Sequence, residues 1–172
     1  MTLQQDRLVV RDATAADLPG LAACRYADCP AIHRDRLRDA SLGNSRLFVA
    51  EQTGNMAGFG VLVFRRAAGT PGAGTTDRLP CVLDVYVAPE RRGRGIGTAV
   101  LRHMERITAR DGHARLFLSV DPRENSRALA LYKRLGYCPL QAEPYPDVWR
   151  FTDSDGHVHQ GRGGAVDMAK EL

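Results

Sequence analysis

The stretch from Val85 to Thr98, Val-Tyr-Val-Ala-Pro-Glu-Arg-Arg-Gly-Arg-Gly-Ile-Gly-Thr, constrains the fold of this chain more than any other segment. Cys81 to Val87 is a β-rich run, and Pro89 ends it because proline has no N–H to give to a ladder. From Ile96 the apolar positions Val100, Met104 and Ile107 recur at helical spacing, Arg102, Arg106 and Arg110 follow another face, and Asp111-Gly112 closes the helix. Between strand and helix stand Gly93, Gly95 and Gly97, which permit tight or positive-φ backbone and let a ligand come close to the main chain. The first N–H groups of the helix have no partner within it, and its dipole favours negative charge. With Arg92 and Arg94 beside those amides, the turn is an anion cradle suited to a pyrophosphate.

Other phosphate-binding patterns do not fit. A dinucleotide fingerprint needs G-x-G-x-x-G and a Walker loop needs G-x-x-x-x-G-K-[ST], and neither occurs. An arginine-glycine nucleic-acid segment is repetitive, whereas this turn occurs once, clamped between a strand and an amphipathic helix. The net charge of +4 suits an anionic ligand, and seven arginines against Glu105 and Asp111 between Arg91 and Arg115 concentrate the positive potential there. A phosphotransferase reading lacks the lysine and magnesium-carboxylate pattern it needs.

The rest of the chain reads as one mixed sheet with helices. Leu8-Val9-Val10 is a strand, and Leu18, Leu21, Ala22 and Tyr26 lie at helical spacing after a cap at Thr14 or Asp12. Residues 31–42 form a second helix. The runs around Leu47-Phe48-Val49-Ala50 and Gly58 to Phe64, joined through Thr53-Gly54-Asn55, form a hairpin. Residues 67–80 are a Gly/Pro/Thr-rich loop. Ala114 to Val120 is a strand, and Ala128, Leu131, Tyr132 and Leu135 mark a helix ending at Gly136. Strands follow near Tyr137 to Gln141 and Val148 to Thr152, then the turn Asp153 to Gly156 and an apolar patch around Ala165 to Met168. The class is α/β (α+β) in one domain spanning residues 1–172.

Composition narrows the setting. With 44% hydrophobic and 26% charged residues the chain can bury a real core, no run is long enough for a membrane helix, and the N-terminus lacks a signal peptide's apolar region, so a soluble cytoplasmic protein without membrane partners is expected. Cys24, Cys29, Cys81 and Cys138 show no zinc or disulfide spacing and read as reduced thiols. His157 and His159 alternate along a candidate strand but lack ligand partners at metal spacing, so exposed hairpin histidines and no metal are expected.

At Arg92-Gly93-Arg94-Gly95-Ile96-Gly97 the chain resembles the GNAT (Gcn5-related) N-acetyltransferase superfamily, whose acetyl-CoA motif is (Q/R)-x-x-G-x-(G/A). A further family pattern, N-x-x-A-x-x-L-Y-x-x-x-G-(F/Y), is matched by Asn125, Ala128, Leu131, Tyr132, Gly136 and Tyr137, about 30 residues downstream. Two motifs in order are more specific than either alone, and together they cover residues 82–139. The resemblance implies a central mixed sheet of about seven strands flanked by about four helices, with a bulge that splays the fourth and fifth strands. It implies acetyl-CoA as cosubstrate and an amine of a small molecule or protein as acceptor. The backbone of Val85 and Val87 would pair with the pantetheine arm, the amides of Arg92, Gly93, Arg94, Gly95, Ile96, Gly97 and Thr98 would hold the pyrophosphate, and Asn125 would help anchor the cosubstrate. Family members also dimerise through closing strands or a sheet edge, so a homodimer is one implied arrangement. The tail from Glu143 to Gly164 is longer than the family's minimal closing hairpin and carries Tyr145, Trp149, His157 and His159, which leaves the acceptor open. A non-catalytic acyl-CoA-sensing or nucleic-acid-binding module is the alternative.

Acetylating an amine requires loss of its proton and protonation of a departing thiolate. Tyr132 matches the tyrosine that many relatives use as general acid, and a phenol stays protonated at neutral pH; the other reading makes it a core aromatic on the face of Ala128, Leu131 and Leu135. Asp84 is the first candidate for the base, acting through water if its face is the acceptor side; if not, it is a solvated or hydrogen-bonded strand residue. Strand alternation puts Asp84 and Tyr86 on one face and Val85 and Val87 on the other. Glu143, Asp147 and Asp28 are weaker alternatives.

Overall fold

In a computed structural model, described over residues 8–66 and 78–172, the elements run β1 (Leu8–Asp12), α1 (Leu18–Cys24), α2 (Ala31–Ser41), β2 (Ser45–Gln52), β3 (Asn55–Arg66), β4 (Arg78–Val87), α3 (Ile96–Arg110), β5 (Arg115–Val120), α4 (Ser126–Arg134), β6 (Cys138–Pro139), β7 (Tyr145–Thr152) and β8 (Val158–Glu171). Hydrogen-bonded neighbours in the sheet follow the order β1-β2-β3-β4-β5-β8-β6, with β7 on β8. The α/β class and the four helices agree with the expectation, and the described residues form eight strands where about seven were expected. The strand missing from the sequence reading is β8, seen there only as an apolar patch. Gly161, Gly163 and Gly164 interrupt its alternation, although its second half carries the buried Ala165, Val166 and Met168.

The chain forms two compact units, Met1–Leu62 with Asp84–Met104 and Val63–Leu83 with Glu105–Leu172. In the first, β1 pairs antiparallel with β2 from Leu8↔Gln52 to Asp12↔Phe48. Leu47, Phe48, Val49 and Ala50 of β2 are all buried, so this strand is covered on both faces; each large side chain so placed contributes about 1.5–3 kcal/mol relative to exposure. The entry to α1 is fixed by charge. Arg11 donates from Nη1 and Nη2 to the two Asp17 oxygens at 2.9 and 2.8 Å and from Nε and Nη2 to Glu51 at 3.1 and 3.0 Å. Asp17 also accepts the Thr14 N–H at 2.7 Å. These contacts, the Arg11 bonds foremost, hold the Asp17 carboxyl down to about 2.

In the second unit, β5 pairs antiparallel with β8 from Arg115↔Glu171 to Val120↔Val166, and β7 pairs with the first half of β8 from Tyr145↔Ala165 to Thr152↔Val158. The Asp121 carboxylate ties β8 to the start of the β5–α4 connection by accepting N–H bonds from Gly164, Arg123 and Glu124 at 3.0, 2.9 and 3.2 Å, which lower its pKa. A Cβ at Gly163 would lie 2.6 Å from an Asp121 oxygen, so a side chain there would have to displace that carboxylate.

Three local expectations change. The helical face that included Tyr26 stops earlier: α1 ends at Cys24, and Tyr26 stands beyond it at φ 68°. The loop expected over 67–80 lies partly outside the described residues, and its end, Arg78–Pro80, is already strand β4. The hairpin histidines differ from each other: His157 is exposed, whereas the His159 side chain is only 18% exposed and its Nε2 lies 2.8 Å from the fully buried Asp153 carboxylate. His159, with the N–H groups of His157 and Asp155, holds that carboxyl down to about 2.

Candidate active site

The turn after β4 has the geometry that its glycines suggest. A short 3-10 turn, Pro89–Arg91, leads into Gly93 and Gly95, both at φ +78°, a region that L side chains adopt only with strain. Nothing lies within 4 Å of where a Cβ would stand at either glycine, and Arg92 to Gly95 are exposed. Ile96 then plugs into the core at 1% exposure and anchors the start of α3. Gly97, by contrast, lies within that helix and not at positive φ. Ala99 N–H donates to Gly95 C=O at 2.9 Å, so the N–H groups of Ile96, Gly97 and Thr98 precede the first bond of the helix.

The strand leading into this turn sorts its backbone groups by direction. Ala88 N–H donates to Ala57 C=O of β3 at 3.0 Å. By the alternation of an extended strand, the backbone groups of Asp84 and Tyr86 share that side, and those of Val85 and Val87 face the opposite one. β4 pairs in parallel with β5 at Cys81↔Phe117 and Val82↔Leu118 and runs on to Val87. Val87 C=O accepts Arg92 Nε at 3.0 Å, which leaves that carbonyl one lone pair. Arg92 thus lies back along its own strand, 5.6 Å above the Tyr86 ring.

On the side-chain face that carries Asp84 and Tyr86, the structure assembles a group not apparent from the sequence. Arg25 Nη1 and Arg36 Nη2 donate to the two Asp84 oxygens at 3.3 and 3.0 Å. The Arg25 guanidinium lies over two phenol rings, 4.7 Å from the Tyr26 centroid and 4.8 Å from that of Tyr86. Tyr86 in turn stacks on Phe59 at 5.7 Å. Behind them the fully buried His33 places Nε2 3.0 Å from the Arg25 carbonyl, and burial lowers its pKa, so neutral imidazole donates this bond. These residues come from α1's end, α2, β3 and β4, and no local pattern could have joined them.

The second motif lies in the other unit. Asn125 is exposed at the N-cap position of α4, yet its side chain makes no capping bond; its backbone instead links Asp121 C=O to Leu129 N–H. Tyr132 is half-buried, its ring 6.0 Å from Tyr137 in an edge-on contact, and no residue of α4 is fully buried. Glu143 and Asp147, the weaker base candidates, are half-buried or exposed residues of the closing segment, and Asp28 is exposed in the turn before α2.

The fold is that of known acetyltransferases. Over 95% of this chain and 99% of the other it superposes on a ribosomal-protein-alanine N-acetyltransferase from Brucella melitensis with TM-score 0.69 at 21% identity. The PaiA N-acetyltransferase of Thermoplasma acidophilum, solved in complex with coenzyme A, gives TM-score 0.65 at 16% identity over 96% of this chain and 99% of that one. By sequence, streptothricin acetyltransferase of Streptomyces lavendulae is 32% identical over 105 residues, 59% of this chain and 50% of that protein. Mycothiol acetyltransferase of Nocardia farcinica is 36% identical over 118 residues, 67% of this chain and 34% of that protein. The chain thus spans a half or less of the curated relatives it matches. A sequence model of the acetyltransferase (GNAT) family matches residues 13–137, nearly three quarters of the chain and the whole run from α1 through the two motifs, and the chain therefore belongs to that family.

Proposed function

We propose that this protein transfers an acetyl group from acetyl-CoA to an amine. The observation that carries the reading is the turn at Gly93 and Gly95: two left-handed glycines, open on their Cβ side, deliver the chain to the free N–H groups of Ile96, Gly97 and Thr98 at the start of a 15-residue helix. Such a surface fits a pyrophosphate and approaches it through main chain alone. The names of the relatives, among them one solved with coenzyme A, support the same ligand. No helix among the described residues is long and apolar enough to cross a membrane.

Acetyl-CoA supplies the acyl group as a thioester. In this reading the amides from Arg92 to Thr98 hold the pyrophosphate, with Arg94 adding charge from an exposed position. Val85 and Val87 offer strand-like pairing to the pantetheine arm, and Asn125, its side chain free of a capping duty, adds a contact to the cosubstrate. Each Asp84 oxygen already accepts one guanidinium bond; its remaining lone pairs hold a water that relays the amine's proton to the Asp84 carboxylate. Tyr132 gives a proton to the departing sulfur. Its half-buried position suits a group that must reach a ligand better than one serving only the core.

Two measurements test this. Acetyl-CoA and CoA should raise the melting temperature while ATP and NAD do not, since only a ligand of the native state stabilises it. Equal shifts from all four would refute the cosubstrate assignment. Release of free thiol from acetyl-CoA across a panel of amines then separates an enzyme from a module that only senses acyl-CoA.

A further inference from the structure

Arg25 and Arg36 carry two positive charges against the single carboxylate of Asp84. Each gives Asp84 one bond, although a guanidinium has five donors and pairs best with a carboxylate through two parallel bonds. Among the described residues no further hydrogen bond reaches the Arg25 side chain, and Arg36 Nη1 is buried without a partner. An unanswered charge here is costly, because the Arg36 and Asp84 side chains are each only 15% exposed.

The Arg25 side chain is 38% exposed, and its surroundings fix its orientation. With two phenol rings against the guanidinium and one N–H turned to Asp84, its other N–H groups are the part left for hydrogen bonding. This arrangement is maintained at a cost: Tyr26 is held at φ 68°, a conformation worth about 1–3 kcal/mol of strain for a non-glycine residue. The Arg25 backbone is clamped in turn by buried His33. A rigid, partly exposed, incompletely neutralised guanidinium is the form in which proteins recognise carboxylates.

We propose that Arg25, supported by Arg36, binds a carboxylate of the acceptor, so that the acceptor is a small amine bearing an acid group, of the amino-acid type. The assignment rests on the acyltransferase reading, because it places the acceptor on the Asp84–Tyr86 face of β4. The carboxylate docks on the free edge of Arg25 and supplies the negative charge that the cluster lacks. Asp84 then holds the two guanidiniums in register and faces the acceptor's amine.

The test uses the full chain, acetyl-CoA, and a panel of α-amino acids, each paired with its α-carboxamide. The acids should be acetylated with kcat/KM roughly 10- to 100-fold above their amides, the range expected for charge-assisted hydrogen bonds. The amide's amine is the less basic of each pair, a bias that works against this result. In Arg25→Gln the acid-to-amide ratio should fall toward unity, and in Arg25→Lys it should fall only part of the way, because the charge stays while the fork is lost. Equal use of acid and amide by the wild-type chain, or a ratio unchanged in Arg25→Gln, overturns the proposal. Should no member of the panel turn over, the same pairs are titrated into the CoA-bound protein: stabilisation by the acid and not the amide, lost in Arg25→Gln, supports it, and equal stabilisation or none overturns it. Failure of the acyltransferase reading is visible separately, as absence of stabilisation by acetyl-CoA.

Discussion

Replacing Gly95 by valine separates a ligand cradle from an ordinary turn. Gly95 stands at φ +78°, so an L side chain there costs about 1–2 kcal/mol of backbone strain. For a chain of this size each kcal/mol moves the melting temperature by roughly 2–4 °C, and a fall of about 2–8 °C is therefore expected. The open space beside the glycine makes the protein itself indifferent to the added atoms. A phosphate approaching those amides is not indifferent, and we expect CoA affinity to fall by at least about tenfold, or 1.4 kcal/mol. Gly43 supplies the control, with φ +73° and equally open surroundings in the loop after α2. Gly43→Val should lose similar stability and bind CoA normally. Gly95→Asn, which tolerates the left-handed region, should lose less stability than valine and still weaken CoA. Isothermal titration with CoA, beside thermal unfolding of the three variants, reads both quantities. If Gly95→Val and Gly43→Val bind CoA alike, the turn is structural and the reasoning fails.

Three further outcomes are expected. Tyr132→Phe keeps the ring against Tyr137 but removes the proton, so turnover should fall roughly 10- to 1,000-fold with CoA affinity and melting temperature nearly unchanged; wild-type turnover would return Tyr132 to a packing role. Lys170→Ala removes a 2.9 Å ion-pair partner of Glu105, whose side chain is 7% exposed, and should destabilise by about 1.5–3 kcal/mol in denaturant unfolding, while Lys170→Met with Glu105→Gln recovers much of that; equal loss in single and double variants would show that packing and not charge is at stake. Asp17 is held at about 2, below its value in an unfolded chain, so its contribution is complete above about pH 4 and disappears as pH falls through 2; the melting-temperature gap between wild type and Asp17→Asn should close over that window, and a gap independent of pH would contradict the assignment.

Residues close in the chain could be read directly, because their chemistry depends on local backbone. The break at Pro89, the glycines at 93 and 95, the helix from Ile96, and the spacing of Asn125 to Tyr137 each act within a few residues, and together they were enough to suggest the family. The alternation that puts Asp84 and Tyr86 on one face is equally local. What only the tertiary structure decided is non-local. Strand β8 hides behind its glycines, and their use becomes visible only when Asp121, more than 40 residues earlier, is seen against Gly163 and Gly164. Likewise Asp84 read as a lone carboxylate until Arg25 and Arg36, 59 and 48 residues away, were brought onto it. An ion pair between distant residues leaves no periodicity, since its geometry is set by how helices pack on a sheet and not by the order of side chains along any one element.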